Sequence, residues 1–386
     1  MHKFLLSVVG VCVLCGPVWA QRELVTGSTG AARVAASQVS SSAGSLGGAV
    51  KKTFAQAQLA SHINAFQSSV FYVRARKSDK AFSGSVFEVE IDGQKEIYGV
   101  IAAHSLARQP VDLLTAQATD YTVHRNFLLH MMDKDGHPHQ LLGEVVWLSS
   151  PLMWDVALVK FSDEEAKLFK PFTLTTQLPA RGEQVQTRGF VRDLSVYIPN
   201  RQVVAFSPLS VRTTMPIARE NRTGLCGSPV FRQRPYVEGE EPVYEMLGMH
   251  TGSAWEEGGL EEEDIGYFTP GSFLRDFVLD YRTQGEVNFP VRLKGTDMFS
   301  LKSNEHIKSM ILFDDEKRRI GWYTFEEKFS YRKMESLVDT FGPHYIEFTI
   351  EGMEWSHVNP DFWEFDPRVR RVTYDLKTRS TVWPNL

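Results

Sequence analysis

Cys226, His104 and Asp155 are the residues of this chain whose types and order could do covalent chemistry. Cys226 sits in Gly224-Leu225-Cys226-Gly227-Ser228-Pro229-Val230-Phe231, where glycines allow backbone N–H groups to come close to a substrate oxygen. His104 ends the apolar run Gly99-Val100-Ile101-Ala102-Ala103, and Asp155 opens Asp155-Val156-Ala157-Leu158-Val159. The three lie in chain order, 51 and then 71 positions apart. A thiol beside a base, with a carboxylate to orient the base, is the generic arrangement for nucleophilic catalysis. Taken singly, each has an ordinary structural use: a buried cysteine, a satisfied core histidine, a strand-start cap.

The N-terminus gives the thiol its context. Lys3 is followed by an apolar stretch over residues 4–13, and Val18-Trp19-Ala20 offers a cleavage site before Gln21. This pattern is a secretory signal, too short for a membrane span. Bulky Leu14 before Cys15 argues against lipidation there. Of the three cysteines, Cys12 and Cys15 lie inside the signal, so Cys226 is the sole thiol of the mature chain and has no internal disulfide partner. No later segment approaches about 18 uninterrupted apolar residues, so no membrane span is expected. The expected location is exported, either periplasmic or secreted. A formal charge of −5, from 42 Lys and Arg against 47 Asp and Glu, argues against nucleic acid as the main partner.

The elements that must position these residues read mainly as β-strands. Residues 21–66 are rich in Ala, Ser and Gly and bury little, so they read as a flexible segment or a pro-segment, with a short helix over 55–66. Strand periodicity begins near residue 67. Strands are expected over 70–75, 85–91, 96–103, 142–148, 156–161, 184–190, 202–208, 229–232 and 244–250, with a hairpin turn at Asp92-Gly93. A helix follows, with Ser272 as its N-cap, Phe273, Leu274, Phe277, Val278 and Tyr281 on one face, and Gly285 as its stop. Residues 286–386 read as a smaller β-rich accessory domain. It has a hairpin around Asp314-Asp315-Glu316-Lys317, an alternating strand over 345–350 and a second hairpin around Lys377-Thr378-Arg379. Trp322, Trp355, Trp363 and Trp383 there could line a binding surface or build a core. His137 and His139 flank Pro138 just after the turn Asp135-Gly136; the sequence places no carboxylate or cysteine beside them, and no metal or cofactor is expected.

On these residues the chain resembles the chymotrypsin-like peptidases. Ala102-Ala103-His104 is similar to their histidine motif, Asp155-Val156-Ala157-Leu158 to their aspartate motif, and Gly224 to Val230 to their nucleophile motif, with Cys where most members carry Ser. The resemblance covers residues 67–285, and implies a double β-barrel. Gly227-Ser228-Pro229-Val230-Phe231 with Leu247-Gly248-Met249-His250 resembles the bacterial glutamyl endopeptidases. The Cys nucleophile with Gly248-Met249-His250-Thr251-Gly252 resembles the viral chymotrypsin-like cysteine proteases. Leu225 stands where trypsin-type members carry an Asp that captures a freed N-terminus, so the resemblance does not extend to that mode of activation.

The resemblance implies acyl transfer on a protein or peptide substrate. His104 would take the Cys226 proton, Asp155 would fix the imidazole, and the N–H groups of Gly224 and Cys226 would form an oxyanion hole worth about 3–4 kcal/mol per donor. His250 would line the primary pocket and bond a Glu or Gln side chain. A Thr five residues before the nucleophile assists in both branches; here that position is Asn221, while Thr223 stands three before, and either could supply the donor. The competing function is a non-catalytic binding protein on a decayed peptidase scaffold.

Overall fold

The computed structural model describes residues 24–25, 68–74, 81–106, 122–191, 194–207, 209–217, 222–234, 243–253, 265–325, 329–356 and 362–382. The signal at 1–20, the helix expected over 55–66, and Asn221 lie outside the described residues.

The strands expected around the chemistry close into two barrels. The first region holds β1 (Leu24–Val25), β2 (Val70–Arg74), β3 (Ala81–Ile91), β4 (Gln94–Ala102), β5 (Thr122–His124), β6 (Asn126–Met132), β7 (Pro138–Leu148) and β8 (Val156–Lys160). A single capped turn, α1 (Asp163–Ala166), and β9 (Phe172–Leu174) follow. Six of these strands form an antiparallel ring in the order β2, β3, β4, β8, β7, β6, with β6 returning to β2. The second region holds β10 (Gln184–Val191), β11 (Leu194–Phe206), β12 (Val211–Thr214), β13 (Pro229–Gln233), β14 (Tyr244–Ser253) and β15 (Ile265–Pro270). They close a second ring in the order β10, β11, β12, β15, β14, β13, with β13 returning to β10. Closure leaves neither ring an unpaired edge. β9 pairs in parallel with β3 of one ring and β14 of the other, joining them. β1 pairs in parallel with β11. The fold is mainly β and chymotrypsin-like: two barrels followed by a smaller β-rich region.

Local sequence explains several of these elements. The β3–β4 hairpin closes on Asp92 and Gly93, both at positive φ (54° and 76°), the backbone a two-residue turn of this hand requires. In β6, Phe127, Leu129 and Met131 alternate inward at period two, a pattern the intervening Leu128 and Met132 obscure in the sequence. The helix α2 (Gly271–Arg282) buries Phe273, Leu274, Phe277 and Val278 as expected. Its ends differ from the sequence reading. Pro270 is the N-cap, without a side-chain cap bond, and Ser272 lies inside the first turn. The helix begins at Gly271 because β15 runs directly into it, and a Cβ at Gly271 would overlap the Thr175 carbonyl. It ends at Thr283, ahead of Gly285, because Gln284 already adopts φ 55°.

The C-terminal region consists of the hairpin β16 (Phe289–Leu293) and β17 (Thr296–Leu301), then β18 (Glu305–Phe313), β19 (Arg319–Thr324), the helix α3 (Tyr331–Phe341), β20 (Tyr345–Ser356), β21 (Phe362–Asp375) and β22 (Ser380–Val382). β19, β18, β20, β21 and β22 form one sheet, with β5 from the first region paired to β21. Packing crosses between the regions. One apolar cluster runs from Val70, Trp154 and Phe277 through Phe289 to Phe348 and Tyr374. Trp363 is buried within the core of the first barrel and donates to the Val145 carbonyl at 3.3 Å. Trp322, by contrast, is 57% exposed. The division of the chain at 285/286 into a peptidase domain and an accessory domain remains a proposal.

Candidate active site

His104 and Asp155 are placed by the ends of two adjacent strands. β4 ends at Ala102, and the chain turns into a short 3₁₀ segment, Ala103–Leu106, that carries His104. Asp155 immediately precedes β8, the strand paired with β4. The Ala103 N–H donates to the Asp155 carbonyl at 3.1 Å, and the His104 N–H donates to Asp155 Oδ1 at 2.9 Å. The remaining carboxylate oxygen, Oδ2, lies 2.6 Å from His104 Nδ1. Asp155 therefore holds both the backbone and the ring of His104. It does so with φ 61°, a left-handed backbone costly for a residue with a side chain. The strain is fixed by the preceding turn, in which the Ser150 carbonyl accepts from the N–H groups of Met153, Trp154 and Asp155.

Cys226 comes from the other barrel, on the turn that leads into β13. Gly224 (φ 105°) and Gly227 (φ 95°) bracket it in backbone that favours glycine. A Cβ at Gly227 would overlap the Ser83 carbonyl oxygen. The turn is anchored across the barrel interface. The Gly224 carbonyl accepts from Ser83 N at 2.9 Å and Ser83 Oγ at 2.8 Å, and the Gly227 carbonyl accepts from Ser85 Oγ at 2.6 Å. The sequence analysis assigns Ser83 and Ser85 no role in the site; their only signal is the run of small residues Ser83-Gly84-Ser85 within β3. Among the described residues, the N–H groups of Gly224 and Cys226 meet no acceptor. Thr223 is exposed beside them.

Cys226 is close enough to His104 to act on its ring electrostatically. Burial by itself would lower the His104 pKa. The Asp155 carboxylate and Cys226 outweigh it, and the imidazole is held well above its ordinary range. The His104 side chain remains 21% exposed. Asp155 is almost fully buried.

No protein-family model matches the chain, and no curated protein sequence matches it. Among solved structures, the chain is similar to Deg5 at 17% identity and TM-score 0.38, covering 58% of this chain and 94% of that one. It is similar to the serine protease domain of the Sesbania mosaic virus polyprotein at 17% identity and TM-score 0.34, covering 55% and 92%. A Glu endopeptidase matches at 11% identity and TM-score 0.36, covering 56% and 91%. At these values the likenesses carry nothing about the site, and the double-barrel fold rests on the strand pairings.

His250 lies on β14, directly across from the Cys226 turn: Gly227 N donates to the His250 carbonyl at 2.8 Å, and His250 N donates to the Ser228 carbonyl at 2.8 Å. Its ring is 1% exposed. Burial, with the positive charge of Arg201 next in weight, pushes its pKa well below the usual value, so the ring is neutral. A bond to the Tyr267 backbone engages the ring, and Nδ1 has no partner among the described residues. The structure thus brings His104, Asp155, Cys226, Gly224 and His250 to one place. The His137–His139 pair is elsewhere. Both histidines face Asp133, at 3.5 Å and 2.8 Å, and no group of three metal-ligating side chains occurs among the described residues. Among the same residues, no helix is long and apolar enough to cross a membrane.

Proposed function

We propose that the chain is an exported cysteine endopeptidase of chymotrypsin-like fold that cleaves proteins or peptides after Glu or Gln. The observation that carries this reading is the convergence at His104. Asp155 engages its Nδ1 at 2.6 Å, and Cys226 adjoins the same ring from the opposite barrel. A positioned carboxylate, an imidazole and a thiol in that order are what acyl transfer needs. The Cys226 sulfur attacks the scissile carbonyl carbon, and the developing oxyanion lies against the N–H groups of Gly224 and Cys226. The imidazolium then gives its proton to the leaving amine. Water, deprotonated by His104, attacks the thioester and releases the acid product. Gln or Glu is favoured by the buried polar ring of His250, because an apolar side chain would leave a buried polar atom unpaired.

The test is cleavage of a peptide library by the mature protein and by Cys226→Ala. The expected result is cutting after Glu or Gln that the alanine variant loses entirely. Cleavage retained by Cys226→Ala, or cutting mainly after Lys, Arg or large apolar residues, would reject the proposal. A chain that binds peptides without cutting them would point to the binding-protein alternative.

A further inference from the structure

The interior of the second barrel contains a buried cation without a counter-ion. Arg201, on β11, is 0% exposed. Its Nε and Nη2 donate to Thr213 Oγ1 at 3.0 Å and 2.5 Å, and its Nη1 donates to Thr187 Oγ1 at 2.5 Å. Both partners are neutral hydroxyls. A guanidinium has five N–H donors, so these three bonds leave two without an acceptor. No carboxylate among the described residues pairs with it, and the charge that acts on it is another cation, Arg222. Burial, then Arg222, lowers the Arg201 pKa to about 9, so the group stays charged at neutral pH. A charge taken out of water in this way is costly unless paired.

Its position gives the charge a use. Gly266, on β15, has no side chain where a Cβ would lie 2.8 Å from Arg201 Nη2, 2.8 Å from Met215 Cε and 3.3 Å from His250 Cε1. The guanidinium and the His250 ring therefore both pack against Gly266, and the His250 main chain is bonded to Gly227 and Ser228, the two residues that follow Cys226. The electrostatics of His250 register both Arg201 and His104. A neutral imidazole treats a carboxylate and a carboxamide alike to first order. A guanidinium does not.

We propose that Arg201 is the specificity-determining residue of this site, pairing with a carboxylate on the substrate residue before the cut bond, so that the enzyme selects Glu over Gln. The proposal rests on the peptidase reading above and sharpens it. The substrate carboxylate supplies the missing counter-ion and accepts the two spare N–H groups, and binding then offsets a desolvation cost already present in the free protein. Gly266 carries no side chain because a Cβ there would crowd Arg201 and Met215, and this lets the guanidinium stand beside the His250 ring.

The experiment compares matched fluorogenic peptides differing only in Glu or Gln at that residue, using the full mature protein and its Arg201→Met and Arg201→Lys variants. Wild type is expected to prefer Glu by about tenfold or more in kcat/KM. Arg201→Met should lose that preference while retaining turnover of the Gln peptide. Arg201→Lys should keep part of it, which a purely structural role would not produce. A folded Arg201→Met protein with the wild-type Glu-to-Gln ratio would overturn the proposal and leave the peptidase reading intact. If Arg201→Met does not fold, the wild-type ratio decides: Gln cut as fast as Glu overturns it. A wild-type protein that cuts neither peptide rejects the peptidase reading, and this proposal with it.

Discussion

His104 is useful because two neighbours act on it in the same direction. Its pKa is raised well above the ordinary value despite burial, with Asp155 and Cys226 as the charges responsible. The charged imidazolium is thereby favoured, and its stabilising contribution is full below about pH 6.5 and is lost as pH rises through the raised value. Asp155→Asn should lower kcat on the order of 10⁴-fold, as loss of the orienting carboxylate does in such sites. It should also move the alkaline limb of the kcat/KM profile to lower pH; an unmoved limb would show that Asp155 does not set the His104 charge. His250 carries the opposite sign. Its depressed pKa makes it a neutral buried ring whose contribution to stability is full above about pH 6.5 and falls away as pH drops toward the folded value. His250→Gln should therefore flatten the loss of denaturant stability between pH 7 and pH 5, and an unchanged slope would assign that loss elsewhere. At Gly227 the constraint is steric. Alanine there would combine φ 95° with overlap of the Ser83 carbonyl, and the expected destabilisation is on the order of 3 kcal/mol or more, read from chemical unfolding.

Among the elements, α2 joins the second barrel to the C-terminal region. Asp280, near its end, is 0% exposed. It accepts from Trp147 Nε1 at 2.9 Å, Ser303 Oγ at 2.5 Å and Val287 N at 3.1 Å, so one carboxylate ties β7, the turn after β17 and the segment before β16. Asp280→Ala should leave three donors unpaired and cost about 3 kcal/mol or more, measured as a fall in the midpoint of unfolding. Replacement within about 0.5 kcal/mol of wild type would show that water takes over those bonds. α3 is simpler. Ser330 caps it through the Lys333 N–H, and Gly342 closes it at φ 54°, so both ends are written in local sequence. α2 was visible as a helix because its apolar face repeats at the helical period. Its first residue was not, because the contact that fixes Gly271 is with Thr175, nearly a hundred positions away.

At the scale of the molecule, two barrels supply the two halves of the site, and the C-terminal sheet packs into the same apolar interior. Trp363 fills space in the first barrel's core and β5 contributes a strand to the C-terminal sheet. Truncation after Gly285 would remove Trp363 and uncover the face built from Trp154, Phe273 and Phe277. The expected outcome is an aggregated or cooperatively unfolded fragment, checked by solubility and by the loss of a sharp thermal transition. A soluble, sharply melting fragment would establish residues 286–386 as a separable accessory domain.

The sequence by itself determined the β character of the chain, the hairpin at Asp92-Gly93, the apolar face of α2, and the order His104, Asp155, Cys226. All of these are local: periodicity, turn chemistry and motifs a few residues long. Only the tertiary structure decided how the strand pairings close two rings, that Ser83 and Ser85 reach across to hold the Cys226 turn, and that Asp155 takes a left-handed backbone after the Ser150 turn. It also decided the most consequential residue outside the motifs. Arg201 reads in sequence as an ordinary strand arginine after Pro199-Asn200, a residue type almost always solvated. Its burial beside His250 exists only because β10, β12 and β15 surround β11 and enclose it between Thr187, Thr213 and Gly266. Local patterns report what a few neighbouring residues prefer, whereas an unpaired charge in a barrel interior is a property of residues dozens of positions apart that closure brings together.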